Sequence, residues 1–415
     1  MKKDIVIIGG GAAGLTAAIA AAGENKKASV CILEHKDILG KKILSTGNGR
    51  CNFTNAYMEA SCFHSESIDY IERILKQFGT QETLLFFREL GIVPKSKNGY
   101  YYPRPEQASA LLKVLTHAVG QAGIQCHTGV HVSGIKKTKR GFQIYTSENT
   151  VETRSVILTT GGKAAKALGS DGSGYALAKS LGHSMVPVVP ALVQLRTKKH
   201  SLLKAAGVRA DAKVSIWVRE PSSSAVCLGE DTGELQITSY GISGIPVFQV
   251  SRHAARALYE KKRVEARLDF LPDFESQEEV MRFMIERRRG RENDTASDFL
   301  TGIFNQKLIP CFLKCAGLKE KESVSALTDE KLERLVRCVK ELFLEVTDTN
   351  GFDAAQVCAG GIRLDEIVPE TMESVCCKGL FLAGEILDAD GICGGYNLQW
   401  AWASGYLAGS NAAKY

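Results

Sequence analysis

The chain has 415 residues, 44% hydrophobic and 24% charged, with a formal net charge of +6. That length supports a large core in two or three domains, and the composition is that of an ordinary globular protein. The charge is too mild to imply a nucleic-acid partner and no apolar run reaches bilayer-spanning length, so neither nucleic acid nor membrane is expected as a partner.

Asp4-Ile5-Val6-Ile7-Ile8 is a short β-branched run that predicts a buried parallel strand. It enters Gly9-Gly10-Gly11-Ala12-Ala13-Gly14, a G-x-G-x-x-G at Gly9, Gly11 and Gly14. An Ala-rich helix over Leu15 to Ala22 and a second strand over Ala28 to Leu33 follow, and Glu34 closes the unit. Gly9 permits the tight turn, Gly11 lets backbone N–H groups approach a pyrophosphate, and Gly14 lets helix and strand pack closely. Ala12 and Ala13 belong to the same cradle, at a helix start whose dipole favours an anion. Glu34 is placed to accept hydrogen bonds from ribose hydroxyls. Taken alone, this fingerprint admits NAD, NADP or FAD.

Lys2-Lys3 before an apolar run superficially matches a secretory signal, but the three glycines, Asp4 and Glu34 argue against one. The expected location is cytoplasmic. Twelve scattered cysteines fit reduced thiols there, and no Cys/His set has metal-ligand spacing, so no metal is expected.

Residues 41–55 are rich in Gly and Asn and suit a loop with N–H groups and amides facing a ligand. Gly47, Asn48, Cys51 and Asn52 are its candidate cofactor contacts, and Lys41 and Lys42 are candidates to neutralise phosphates. At this loop the chain resembles a known family, the bacterial flavoproteins of the YhiN and HI0933-like group. The resemblance rests on GGGAAG at 9–14, KKILSTGNGRCNFTN at 41–55, ILTTGG at 157–162 and GSDGSGY at 169–175. It continues with GELQITSYGISGIPVFQVSR at 233–252, CAGGI at 358–362, TMES at 371–374 and GLFLAGEILDADGICGGYNLQWAWASG at 379–405. It implies an α/β, Rossmann-like FAD-binding fold of the two-dinucleotide-binding-domain type, with FAD as cofactor and NAD(P)H as co-substrate.

Residues 66–90 are predicted helical, with Ile68, Ile71, Ile74, Leu75 and Phe78 on one face. Tyr100 to Pro105 reads as an aromatic loop, near the flavin by resemblance or packed between strands. Ala108 to Ala122 is a helix and Ile124 to Thr128 a strand, and Val130 to Val132 is the edge that, by resemblance, meets the adenine through its backbone. Phe142 to Thr146 and Val151 to Thr153 suggest a hairpin. Ser155 to Gly162 is a second buried strand ending in glycines, and Thr160 and Gly161 pass the cofactor by resemblance. A helix over Tyr175 to Leu181 follows.

From Pro187 the pattern changes to short strand candidates at Val188 to Arg196, Lys213 to Val218, Ala225 to Leu228 and Glu234 to Thr238. Helices are predicted over Phe274 to Arg291 and Asp329 to Phe343. The expected organisation is a first FAD-binding part at 1–189, an inserted β-rich domain at 190–273, an inserted helical domain at 274–355 and a second FAD-binding part at 356–415. Arg282, Arg287, Arg288, Arg289 and Arg291 form a basic cluster, yet Glu279, Glu286 and Glu292 interleave with it and favour a solvated helix face.

Leu380 to Glu385 is another strand running into glycine, and a helix is predicted over Leu398 to Ala412. By resemblance, Gly384, Glu385, Asp388, Gly395, Tyr396, Asn397 and Leu398 line the flavin, with that helix start at its pyrimidine end. The implied reaction is NAD(P)H-linked reduction of an activated C=C bond, as in 3-oxo-bile-acid intermediates. Such chemistry needs a donor that polarises the carbonyl and protonates the α-carbon. Tyr396, Asn48, Arg50 and Tyr101, with Tyr102 beside them, are the candidates. Two alternatives stay open: an aminoacetone-type amine oxidase using FAD, and an RNA-associated flavoprotein. Cys51 and Cys393 flank the same loops, but without C-x-x-C they do not suggest a disulfide reductase.

Overall fold

The N-terminal run forms the strand Lys2–Ile8, and Ile5 to Ile8 are buried because neighbours cover both faces. In the computed structural model, which describes residues 2–219 and 224–415, it is central to a seven-stranded sheet. Val30–Leu33 pairs parallel on one side of it and Thr150–Leu158 parallel on the other. Gln125–His127 extends the sheet beyond Val30–Leu33. The long strand Thr150–Leu158 divides its outer edge. Its first half pairs antiparallel with Gly141–Thr146, which pairs with Val132–Thr138, and its second half pairs parallel with Leu380–Leu382 from the far end of the chain.

The chain divides into two units, Met1–Val189 with Gln356–Tyr415, and Pro190–Ala355. In the first, the helix Ala12–Glu24 lies against the C-terminal helix Tyr396–Lys414. The contact is made by backbone. A Cβ at Gly405 would stand 2.5 Å from the Ala13 carbonyl oxygen, and one at Gly409 would stand 2.1 Å from that of Ala17. These small residues, one helical turn apart on both helices, bring the two chain ends into one core.

Several elements differ from expectation. The helix over 66–90 is two helices, Ile68–Gln77 and Thr80–Glu89, broken at Gly79, whose N–H is capped by Glu82. Tyr100–Pro103 is a strand between Thr54–Asn55 and Pro94–Lys97, so those tyrosines are held in a small sheet rather than a loop. The last helix starts at Tyr396, not Leu398, and the predicted helix from Phe274 spans Gln277–Arg288.

The second unit is a closed barrel in the order Leu195–Thr197, Gly241–Gly244, Val226–Ile237, Arg209–Arg219, Arg263–Asp269, Leu342–Thr349, and back to the first. Its interior residues Val214, Ile216, Leu235, Leu268 and Leu344 share one core with Met284, Phe299, Phe312 and Leu335 from the helices. Strands and helices of 190–355 thus lie in one compact unit. The strand Leu342–Thr349 comes from the later stretch and closes the barrel. Its alternation of buried Leu342, Leu344 and Val346 takes over where the helical period ends at Val339.

The arginine cluster belongs to this unit's own scaffold. Arg287 donates to the carbonyls of Phe299 and Thr301, Arg288 pairs with Asp329, and Arg291 with Asp294. Among the described residues, no helix is long and apolar enough to cross a membrane. The strand Met185–Ala191, on which the chain leaves the first unit, pairs with Val357–Ile362, on which it returns.

Candidate active site

Each glycine of the first turn has a measurable reason. Gly9 has φ +103°, and a Cβ there would lie 2.5 Å from the Thr159 carbonyl oxygen. A Cβ on Gly14 would lie 1.9 Å from the Gly9 oxygen. Gly11 is the opposite case, with nothing within 4 Å of its Cβ position. No side chain caps the helix that starts beyond it, so its first N–H groups have no side-chain acceptor. The buried Glu34 carboxylate accepts the Gly10 N–H at 2.7 Å on one oxygen and the Lys36 N–H at 2.8 Å on the other. One acceptor position per oxygen remains for hydroxyls. The Glu34 carbonyl accepts the N–H of Val130, two residues before Val132, which opens the edge strand. Nearby, His127 Nε2 is buried without a partner.

The 41–55 segment is more ordered than its composition suggests. Lys41–Gly49 makes short 3₁₀ turns that break where Gly47 and Asn48 adopt left-handed φ of 54° and 53°. The chain then binds the start of the C-terminal helix. Thr54 Oγ1 donates to Gln399 Oε1 at 2.6 Å, Asn55 Nδ2 to the Gly394 carbonyl at 3.0 Å, and Trp402 Nε1 to the Phe53 carbonyl at 2.9 Å. At this junction Asn52 Oδ1 is buried without a partner, 2.9 Å from the Cβ position of Gly395.

The two lysines do not share one role. Lys41 forms a surface pair with Asp37 at 2.9 Å. Lys42 reaches Glu385 at 2.7 Å and lies 3.3 Å from the Ala164 carbonyl, so its charge is matched by a carboxylate of the C-terminal segment. Asn48 and Arg50 are exposed, and the Arg50 guanidinium stands 5.6 Å over the Tyr102 ring. Tyr101 is half-buried, and its carbonyl accepts the Phe53 N–H. Cys51 is fully buried and burial pushes its thiol up to about 11, which removes it as a redox group.

The returning segment completes the cradle. Gly384 has φ +79°, donates its N–H to Ser404 Oγ and accepts Trp400 Nε1–H, and a Cβ on it would lie 2.9 Å from that of Ala13. Asp388 is buried and accepts the Glu66 N–H at 2.9 Å, a structural bond inside the unit. Asn397 clamps Gly391 through both its amide atoms, at 2.9 and 2.7 Å. Gly395, at φ +91°, precedes a second helix start without a side-chain cap, where Leu398 is half-buried. Tyr396 is buried edge-on to Phe63, with ring centroids 5.9 Å apart. Burial, reinforced by the Cys62 thiol, raises its phenol, so it remains an O–H donor. Across the turn, Gly161 has φ +73°, and a Cβ on Gly174 would lie 1.8 Å from Thr160 Oγ1.

Thus the glycine turn, Glu34, the 41–55 segment, Thr160–Gly161 and the 384–398 segment meet in one unit. Gln399, Trp402 and Ser404, which hold them together, were absent from the candidates. Gly405-x-x-x-Gly409 was the readable sign that this helix lies against another backbone.

The model of the family described as HI0933-like protein Rossmann domain matches residues 3–411. The chain belongs to the HI0933-like family. It is 52% identical over 410 residues to the 3-dehydro-bile acid delta(4,6)-reductase of Clostridium scindens, covering 99% of each chain. It is 26% identical over 416 residues to the ribosomal RNA dihydrouridine synthase of Haemophilus influenzae, covering 99% of each. Among solved structures, a quinol-fumarate reductase with menaquinol molecules superposes with a TM-score of 0.50 at 16% identity, over 100% of this chain and 71% of that one. That likeness concerns the fold alone. The architecture is the α/β, Rossmann-like fold of the FAD-binding type, with a barrel unit inserted.

Proposed function

We propose that the protein is an FAD-dependent oxidoreductase that takes hydride from NAD(P)H and saturates a C=C bond conjugated to a carbonyl, in a 3-oxo steroid of the bile-acid type. The observation that carries this is the 52% identity to a reductase of that substrate class over 99% of both chains. Uridine and dihydrouridine also differ by one C=C bond conjugated to a carbonyl, so the more distant relative points to the same chemistry on a different substrate.

The residues fit an FAD. Gly11 faces open space at one uncapped helix start, Gly395 precedes another, and Asn52 Oδ1 and His127 Nε2 are buried acceptors or donors without partners. Gly9, Gly11, Ala12, Ala13 and Gly14 would hold the pyrophosphate, and Glu34 the adenosine ribose. Asn52, Gly395 and the start of the last helix would hold the ring end. FAD, once bound, supplies the redox-active ring. The chain's own task is to orient the substrate and move a proton. Tyr396, whose phenol burial keeps protonated, is the proposed donor to the α-carbon. Arg50, Asn48 and Tyr101 are proposed to position the carbonyl.

The test offers the FAD-bound protein a 3-oxo-4,6-diene steroid or ribosomal RNA anaerobically with NADH or NADPH, and aminoacetone with and without oxygen. Loss of the dienone absorbance with matching loss of NAD(P)H supports the reading. Dihydrouridine formation in the RNA transfers the same chemistry to the second relative's substrate. Turnover of aminoacetone that requires oxygen, with no enone consumed, overturns it. With Tyr396→Phe, kcat is expected to fall about 10²-fold or more while FAD stays bound.

A further inference from the structure

The first unit carries a buried imidazole that the proposed reaction does not use. His183 follows the helix Ser173–Ser180, and its N–H closes on the Ala178 carbonyl. Its side chain is shut off from solvent and both ring nitrogens are engaged. Nδ1 lies 2.8 Å from Glu366 Oε2, and Nε2 lies 2.8 Å from Ser374 Oγ. The other Glu366 oxygen accepts the Ser184 hydroxyl. Ser374 Oγ also accepts the Cys376 N–H at 3.1 Å and the Cys377 N–H at 2.9 Å, a turn that brings Cys376 back beside the histidine. A Cβ on Gly182 would stand 3.6 Å from that of Cys376. One ring nitrogen of His183, one Glu366 oxygen and the Cys376 sulfur thus all lie within 4.8 Å of one another.

Imidazole, carboxylate and thiolate are the three side-chain groups that zinc takes from proteins. A tetrahedral zinc with ordinary bond lengths holds such atoms about 3.3–3.6 Å apart. The buried ring need not move to meet that spacing. Glu366 keeps 19% of its side chain exposed and Cys376 is at the surface, so the carboxylate can withdraw by about 0.5 Å and the sulfur can swing inward. The outer partners are already in place. With Nδ1 on the metal, the ring holds its one proton on Nε2 and donates it to Ser374 Oγ, the second bond that fixes a ligating histidine. Ser184 steadies the Glu366 oxygen that faces away from the ring. A zinc ion with one carboxylate, one thiolate and one neutral imidazole sums to no net charge, which a partly buried position favours.

We propose that His183, Glu366 and Cys376 bind one zinc ion, with water in the fourth position on the exposed side of Cys376. Binding replaces the S–H bond of Cys376 with a Zn–S bond and releases that proton to solvent, and no atom changes oxidation state. The ion clamps the end of the helix Ser173–Ser180 to the segment around Glu366 and Cys376, although His183 and Glu366 are 183 residues apart in sequence. An ion held only by the folded chain stabilises the first unit. No ligand spacing announces the site, because its residues come from two distant stretches.

The experiment titrates the reduced, chelator-treated full chain with zinc chloride. Bound metal is read by native mass spectrometry and cysteine alkylation by peptide mapping. One zinc per chain is expected, and iodoacetamide should modify Cys376 about tenfold more slowly once free zinc reaches about ten times its dissociation constant. Cys126 and Cys227, which are also exposed, should react at an unchanged rate. Cobalt in place of zinc should give the thiolate-to-metal absorption band of a cysteine-bound ion, read as a difference spectrum. Cys376→Ser changes a surface side chain, so the variant should fold, lose that band and bind zinc about tenfold or more weakly. Glu366→Gln should weaken zinc to a similar degree. Absence of stoichiometric zinc overturns the site. Zinc that leaves Cys376 alkylation unchanged, or that binds Cys376→Ser at full strength, overturns it equally. None of these readouts requires flavin or substrate.

Discussion

The two units are built on opposite plans. The first is assembled from both ends of the chain, and its two end helices meet backbone on backbone, Gly405 and Gly409 against Ala13 and Ala17. The second is one continuous stretch whose first and last strands pair with each other, and its interior is filled by large alternating side chains. Where glycines make the contact there is no side chain to yield, so the first unit should tolerate added volume poorly. Where Leu and Val fill a barrel, the second should respond to removed volume.

The sharpest way to break this contrast is Gly409→Val. Its Cβ would lie 2.1 Å from the Ala17 oxygen and 2.7 Å from the Ala17 Cα, neither of which can rotate away. A loss of about 3 kcal/mol or more is expected in the first unit. Hydrogen exchange should show amides of 190–355 still protected when those of the sheet have opened, and simultaneous loss of both would refute the independence of the two cores. Leu344→Ala probes the other side. Leu344 is 2% exposed on the closing strand, so about 2–4 kcal/mol should be lost, confined to the barrel and its helices in a urea titration followed by exchange. An effect confined to the helices alone would support a boundary near 273.

A smaller effect tests the cradle rather than the core. Glu34→Ala removes a buried carboxylate, and on the proposed function the FAD dissociation constant should rise about 10- to 100-fold, read by flavin fluorescence. A variant purified with a full yellow complement would contradict the ribose assignment.

The smallest expected effect is on pH dependence. His183 is buried with Nδ1 2.8 Å from Glu366 and Nε2 2.8 Å from Ser374 Oγ. Burial lowers its pKa below the ordinary 6.5, and Glu366 opposes that only in part. A base with a depressed folded pKa takes up its proton more readily when unfolded. Its contribution is therefore complete above about pH 6.5 and is lost as pH falls from there toward the folded value. Thermal melts of the first unit from about pH 7 to about pH 5 should decline, with a shallower slope in His183→Gln. An unchanged slope would mean that another group dominates acid sensitivity.

Much of the first unit was legible because its signals are local. A β-branched run, three spaced glycines and Glu34 lie within one stretch, and each obeys a short-range steric rule. The barrel was harder. Leu342 to Val346 directly follows a helix of similar apolar content, and the helix Ile245–Tyr259 received no assignment at all. In the candidate site, the segments were readable and their junctions were not. Thr54 bonding Gln399 and Trp402 bonding Phe53 leave no periodic trace, because pairs hundreds of residues apart impose no repeat on either partner. The roles of Lys41 and Lys42 diverged for the same reason. Adjacent lysines look alike until Asp37 and Glu385 are placed.

The strands Met185–Ala191 and Val357–Ile362 lie side by side, and a Cβ on Gly360 would come within 2.2 Å of the Pro187 oxygen. The polypeptide thus departs and comes back through two doorposts one strand-width, about 4.8 Å, apart. Any module whose own termini are neighbours can be spliced between them without disturbing the fingerprint turn. Evolution can therefore exchange what is inserted there while the glycine turn is inherited unchanged.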